Sequence, residues 1–231
     1  MTTFFWTDRC SDKVSMKKVI SSPGPPIYSA GKLVREKMAA YDMENQRPQK
    51  NLKLEQVLVV GLTKRLGPKD DTMLHGVVGF EFGGPPDMRL FRQTPDIPGV
   101  TYVTSDLLWC ERQPPSSIGR YELAISLPEE SPWAEHILFK LAHASLEQTF
   151  DVGHTLDISE WVEPDCLIKG LFVTRLLSFR LDGQPYGVLY FVGVTRSELD
   201  YSLEHGAGKV AIQLKNAGAF PVTKLVRESV V

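Results

Sequence analysis

The sequence predicts an α+β fold of the α/β sandwich type, with a mixed, mainly antiparallel sheet and two or three packed helices. One observation is the stretch GRYELAISLP (119–128) followed by PWAEHILFKLAHA (132–144), an alternating strand leading into a helix with its own start signal. A second is LFVTRLLSFRLDGQPYGVLYFVGV (171–194), two apolar runs around Asp182-Gly183, the composition of a tight hairpin turn. A third is the shortness of most links between predicted strands. A parallel crossover needs a dozen or more residues, so most neighbours must be antiparallel.

Taken in order, the opening stretch differs from the rest. SSPGPP (21–26) has the composition of a linker, and SAGKLVREKMAAYDM (29–43) places Leu33, Met38 and Tyr41 or Ala40 near one side of a helix that stops before Pro48. Residues 1–49 therefore read as an N-terminal extension with a Pro-rich linker and a helix, and residues 50–231 as the main domain. VLVVGLT (57–63) is a β-branched and aliphatic run ended by LGPKDD, which predicts a strand buried on both faces. GVVGFEF (76–82) repeats that texture as a second strand, GGPP (83–86) is a turn, RLFR (89–92) is a short segment, and VTYVTSDLL (100–108) begins as a strand.

In 121–127, Tyr121, Leu123, Ile125 and Leu127 alternate with Glu122, Ala124 and Ser126, as in a half-buried strand. Ser131 is a good N-cap and Pro132 suits the first helical position. Ile137, Leu138, Leu141, Ala142 and Ser145 then recur on one helical face. After the hairpin, Thr195 with Glu198 forms a capping box. Leu199, Leu203, Val210 and Leu214 continue a helical pattern until Gly218, and Gly206 and Gly208 predict a bend or two short helices. The count is seven or eight short strands with two or three helices and no internal repeat.

The totals exclude several classes. With 26 basic and 28 acidic residues the net charge is -2, so no strong field draws the chain to nucleic acid or lipid, and no window approaches the ~20 apolar residues of a spanning helix. Cys10, Cys110 and Cys166 lie far apart with no CxxC pair, which suits a reducing cytoplasm better than a disulfide framework. The start MTTFFWTDRC lacks the charged lead and sustained apolar run of a secretory signal.

The densest set of chemically able side chains is VGHTLDISEWVEPDC (152–166), with His154, Asp157, Glu160, Trp161, Glu163, Asp165 and Cys166. His154 and Asp157 are three apart, which places them on opposite faces of a strand, and HTLDI has strand texture. His75, His136, His143 and His205 are scattered singly, so no second ligand cluster accompanies the first, and no metal or cofactor is expected. Cys166 borders an apolar run and reads as filler. No nucleophile elbow, zinc-protease helix or phosphate loop is present, and GFEFGG (79–84) lacks a strand-to-helix context. His143 reads as a boundary residue with one satisfied nitrogen and His136 as exposed. Trp133, Trp161, Tyr102 and Tyr186 are candidate partner anchors, though each such aromatic is more often core or core edge.

YVTSDL, GRYELAISLP, PWAEHILFKLAHA, GHTLDI, YGVLYFVGVTRSELDYSLEHGAGKVAIQL and FPVTKLVRESV follow one another in an order and spacing that resembles the suppressor of fused domain family, in its bacterial single-domain type, from about Leu54 onward. The resemblance implies an α/β sandwich that works as a binding module and not as an enzyme. In animals the related protein restrains a transcription factor by gripping a short peptide between this domain and a second, C-terminal one, and the resemblance implies that this sequence corresponds to the first of the two. Bacterial single-domain relatives look like immunity proteins that neutralise a toxin by covering its surface. The segment up to about Gln49 lies outside the resemblance, and translation could begin at Met16 or Met43.

The expectation is therefore a cytoplasmic, non-enzymatic domain that binds and restrains a protein partner through an exposed sheet edge or the polar end of the sandwich, with His154, Thr155, Asp157 and Trp161 as contacts. Two alternatives remain open. One is a small hydrolase using His154 with Asp157 or Cys166; the other is a homo-oligomeric scaffold subunit.

Overall fold

The computed structural model describes residues 49–68, 72–92, 94 and 96–231, and from Leu54 onward these form one compact unit. The linker at 21–26 and the helix expected over 29–43 lie outside the described residues. A seven-stranded sheet runs β1(Met73–Leu74), β2(Met88–Arg92), β3(Val100–Thr104), β4(Arg120–Leu127), β7(Gln184–Thr195), β6(Ile168–Leu181), β5(Thr155–Asp157) across its width. Every adjacent pair is antiparallel except β4 with β7, so the sheet is mixed, as the short connections require.

Helices cover both faces. α2(Pro132–Ala144) lies on one, where Ile137, Leu138 and Leu141 pack with Tyr121, Leu123 and Ile125 of β4 and Leu189 and Phe191 of β7. α1(Gln49–Leu66), α3(Arg196–His205) and α4(Ala207–Asn216) lie on the other, packing Leu58, Leu62, Leu199, Val210 and Leu214 against Val188, Tyr190 and Val192. This double cover corrects the expectation for β4. Glu122, Ala124 and Ser126 do not face water but are fully buried, because the strand is central and roofed on both sides.

Residues 57–63 are not a buried strand but the middle of α1. Leu54, Leu58, Leu62 and Leu66 recur every four residues and are all buried, while Val60 is 54% exposed. That stripe exists only over the longer window 54–66; within 57–63 the valines mimic a strand. Valine costs a few tenths of a kcal/mol in a helix, whereas burying each leucine returns about 2 kcal/mol, so the stripe decides. Lys64 and Arg65 complement the C-terminal dipole. Gly67 then ends the helix at φ 86, donating its N–H to the Thr63 carbonyl at 2.9 Å.

Residues 76–82 are also not a strand. Val77, Val78 and Phe82 are exposed, and only Phe80 is buried, in a 3-10 turn (Phe80–Phe82) closed by Gly83 in the left-handed region. Gly76 and Gly79 within the segment, and Gly83 and Gly84 just after it, remove side chains a strand would pair. Other signals hold. Ser131 caps α2 through the Trp133 N–H, with Pro132 at the first position. Thr195 and Glu198 form the reciprocal capping box, and the expected bend falls at Gly206 between α3 and α4. The hairpin turn has Asp182 at φ 50 and Gly183 at φ 77, both left-handed, as a two-residue turn requires.

Burial of Glu122 demands partners. Its Oε1 accepts the Leu107 and Leu108 N–H groups, each at 3.0 Å, and its Oε2 accepts the Thr104 hydroxyl at 2.5 Å, so it fastens the loop after β3 to the sheet centre. Burial pushes its carboxyl up to about 8, against the pull of the Thr104 hydroxyl and the two N–H groups.

Leu62→Ala should lower stability by about 2–4 kcal/mol while Val60→Ala stays within about 0.5 kcal/mol in urea denaturation. On a strand the two would share a face and cost alike. Because the folded-state carboxyl of Glu122 is raised from 4.5 to about 8, its contribution is fully present below pH 4.5 and is lost as pH rises toward 8. The stability gap between wild type and Glu122→Gln should therefore shift steadily against the wild type from pH 5 to pH 8. A gap independent of pH across that range contradicts the assignment.

Candidate functional site

The segment 151–166 forms one end of the sheet. β5 is its outermost strand and pairs only with β6, Thr155 opposite Phe172, Leu156 opposite Leu171 and Asp157 opposite Gly170. Val173 N–H donates to the His154 carbonyl and Ile158 N–H to the Lys169 carbonyl, both at 2.9 Å. Bonded pairs alternate in an antiparallel ladder, so the His154 carbonyl, the main-chain groups of Leu156 and the Ile158 N–H face β6, while the His154 N–H donates to the Asp151 carbonyl at 3.1 Å and the Ile158 carbonyl accepts the Trp161 N–H at 2.8 Å. The N–H and C=O of Thr155 and Asp157 point away from the sheet.

The side chains around that edge are held by short-range contacts. Asp157 is exposed, yet its carboxylate accepts the Ser159 N–H at 2.9 Å and both terminal nitrogens of Arg196, at 2.9 and 3.3 Å, while Arg196 also bonds the Ser159 hydroxyl. The Ser159 side chain first, then the Arg196 guanidinium, hold the Asp157 carboxyl down at about 2. Arg196 is the first residue of α3, so this pair ties the edge strand to a helix that starts 39 residues later.

His154 is exposed, and its Nδ1 accepts the Asp151 N–H at 3.2 Å; Asp151 in turn accepts the Ser117 N–H at 3.1 Å. Trp161 sits half-buried in a 3-10 turn (Ser159–Trp161), against the α2-side core. Its carbonyl lies 3.0 Å from His136 Nε2, which makes the half-buried His136 a strut of the site where sequence reading had it exposed. His143 does keep one bonded nitrogen, to the Gly84 carbonyl at 3.1 Å.

His154, Thr155, Asp157 and Trp161 are thus gathered at one edge, without converging on a point. No hydrogen bond among the described residues joins His154 to Asp157 or Cys166. Cys166 is half-buried with its sulfur 3.5 Å from the Ile168 carbonyl, and its neighbours include the α2-side core. Among the described residues no three His, Cys, Asp or Glu side chains gather as metal ligands. Tyr102 and Tyr186 are buried, so the anchoring role considered for them fails, while Trp133 and Trp161 keep part of their surface. Among the described residues no helix is long and apolar enough to cross a membrane.

Sequence reading missed the second set of contacts that shapes this end. Glu198, fully buried, pairs with Arg227 and accepts the Thr195 N–H at 2.8 Å and the Val230 N–H at 3.0 Å. Arg227 also donates to the Gly193 carbonyl at 3.1 Å, so the C-terminal segment is strapped to the start of α3. Burial raises the Glu198 carboxyl, but Arg227 and the two N–H groups outweigh it and leave it below the ordinary value. The capping box gave half of this arrangement. The 29-residue gap to Arg227 carried no local signal.

The family model described as Suppressor of fused protein (SUFU) matches residues 85–228. Among solved structures, a chain of the Sufu–Fu complex aligns with a TM-score of 0.58 at 15% identity over 76% of this chain and 91% of that one. A SUFU homologue from Neisseria gonorrhoeae aligns with a TM-score of 0.55 at 21% identity, covering 78% of this chain and 98% of that one. Drosophila Suppressor of Fused aligns with a TM-score of 0.58 at 15% identity over 78% of this chain and 51% of that one. No curated protein matches by sequence.

Arg227→Ala should destabilise the protein by about 3–5 kcal/mol in denaturant titration, because it strands the buried Glu198 charge. The double change Glu198→Gln with Arg227→Met should recover part of that loss. A single-variant cost below about 1 kcal/mol would mean the pair is solvated.

Proposed function

The chain belongs to the Suppressor of fused protein (SUFU) family, and we propose that it is a non-enzymatic binding module that captures and restrains a protein partner at the β5 edge. The observation that carries this reading is the geometry of β5. Two residues, Thr155 and Asp157, turn their main-chain groups outward from a strand held rigid by β6 and by the Arg196 clamp. An extended segment of a partner could pair with those groups, and His154 and Trp161 flank them with an exposed imidazole and a part-exposed indole. Because the edge is already ordered, most of the entropy cost falls on the partner.

The Sufu–Fu complex, in which a structurally similar chain is held in a protein assembly, supports the protein class of partner. Within that class we infer an immunity role against a bacterial toxin, with the domain at 50–231 doing the binding from the cytoplasm. The free thiols of Cys110 and Cys166 are in keeping with a reducing compartment.

The test starts with the full chain as bait and any protein it retains, purified and titrated by calorimetry. Alanine at His154, Thr155, Asp157 and Trp161 together should weaken binding at least about tenfold, and Thr155→Pro, which removes one outward donor, should do so alone. Unchanged affinity in both variants moves the interface elsewhere. The immunity role is read separately: co-expression with a toxin encoded next to this gene should restore growth, and the four-alanine variant should not.

A further inference from the structure

β6 is far longer than the strand beside it. β5 engages it over Gly170–Phe172, with two further bonds at Val173, so from Thr174 to Leu181 its outer side carries no strand among the described residues. The inner side is paired with β7 all the way to the turn, where Leu181 faces Gln184. Among the described residues the outer side of 174–181 is therefore an unpaired edge in line with β5.

Three features shape that edge. The irregularity between Arg175 and Leu177 inserts a residue and reverses the strand's alternation. As a result Leu176, Leu177, Phe179 and Leu181 all lie half-buried against the α1-side core, whereas Arg175, Ser178 and Arg180 are exposed on the opposite face. The edge is also rigid. Leu177 sits so close to Gly61 of α1 that a side chain there would meet it at 2.7 Å, and the Phe179 and Tyr186 rings stack at 5.8 Å. Finally, the two-residue turn makes Leu181 with Gln184 and Phe179 with Tyr186 the bonded pairs. The main-chain groups of Ser178 and Arg180 are left pointing outward, and Pro185, opposite Arg180, sits where β7 needs no donor.

Charge selects the occupant. Arg175 makes no ion pair among the described residues, and Arg180 donates only to the Gly183 carbonyl, at 3.0 Å. A second copy of this chain would bring arginines against arginines across the new ladder, and like charges facing each other on paired strands are unfavourable. A strand with carboxylates on that face and apolar side chains on the other would meet both arginines and extend the half-buried leucine row. We propose that the outer edge of β6 over 174–181 docks an extended segment of a protein partner in which apolar and acidic residues alternate. This edge is separate from β5 and does not depend on the reading of that strand.

The experiment uses the full chain and three labelled eight-residue peptides, one alternating valine and glutamate, one alternating valine and lysine, and a scramble of the first, followed by fluorescence anisotropy. The valine–glutamate peptide should bind and the other two should not. Arg175→Glu with Arg180→Glu should weaken it at least about tenfold and transfer binding to the lysine peptide. Ser178→Pro, which deletes an outward donor without touching a bond to β7, should abolish binding in a protein whose circular dichroism is unchanged, and Thr155→Pro should leave it intact. No binding at millimolar peptide, equal binding of all three, indifference to the double charge reversal, or loss in Thr155→Pro each overturns the proposal. So does self-association of the wild type that the double reversal alters, since a second copy would then occupy the edge.

Discussion

The fold depends on covering β4 and β7 from both sides. These two strands form the parallel pair at the sheet centre, and with helices on each face their polar atoms have no water to fall back on. The Glu122 carboxyl accepts the Leu107 and Leu108 N–H groups and the Thr104 hydroxyl, and Thr101 and Ser126 bond each other at 2.6 Å. Each contact joins β4 to β3 or to the loop that follows it, so satisfying the buried groups also fixes the order of the strands. A buried polar atom left without a partner costs more than a typical hydrogen bond returns, which makes this centre intolerant of slippage.

A centre of that kind exports its variation to the rim. β5 contributes three residues and β1 two, against fourteen in β6, so the sheet is uneven at its sides. Short edge strands and exposed arginines limit chance pairing between copies. The same edges, rigid and with main-chain groups turned outward, suit a partner that brings its own strand. The corner where α3 begins serves both ends of this arrangement: Arg196 clamps Asp157 on β5, and two residues later Glu198 receives Arg227 from the C-terminal strap. One turn of helix thus positions the edge and closes the fold beneath it.

Legibility in the sequence followed the range of the interaction. The cap at Ser131, the capping box at Thr195 and Glu198, the Asp182-Gly183 turn and the break at Gly206 rest on contacts within a few residues, and each is where the sequence put it. The two strand assignments that failed, 57–63 and 76–82, rested on short apolar runs, whose texture is shared by strands and by one face of a helix or loop. The longer leucine repeat at 54, 58, 62 and 66 carried the helical period, and a wider window would have exposed it. At the candidate site, the strand texture of HTLDI was sufficient for β5. The clamp from Arg196, the strut from His136 and the Glu198 pair with Arg227 span 25 to 39 residues, and no local pattern announces them.

By itself the sequence determined the class of the fold, the starts of the helices at 132 and 196, the break near Gly206 and the end before Gly218, the hairpin and the family, because propensity, capping and turn chemistry act through neighbours along the chain. Only the tertiary structure decided which strands lie at the centre and which at the rim, that polar residues of β4 are buried, and that among the described residues the outer edges of β5 and of β6 beyond it pair with no strand. Those outcomes depend on which surfaces meet in space, and a one-dimensional pattern of apolar and polar residues records a preference for burial without recording its partner.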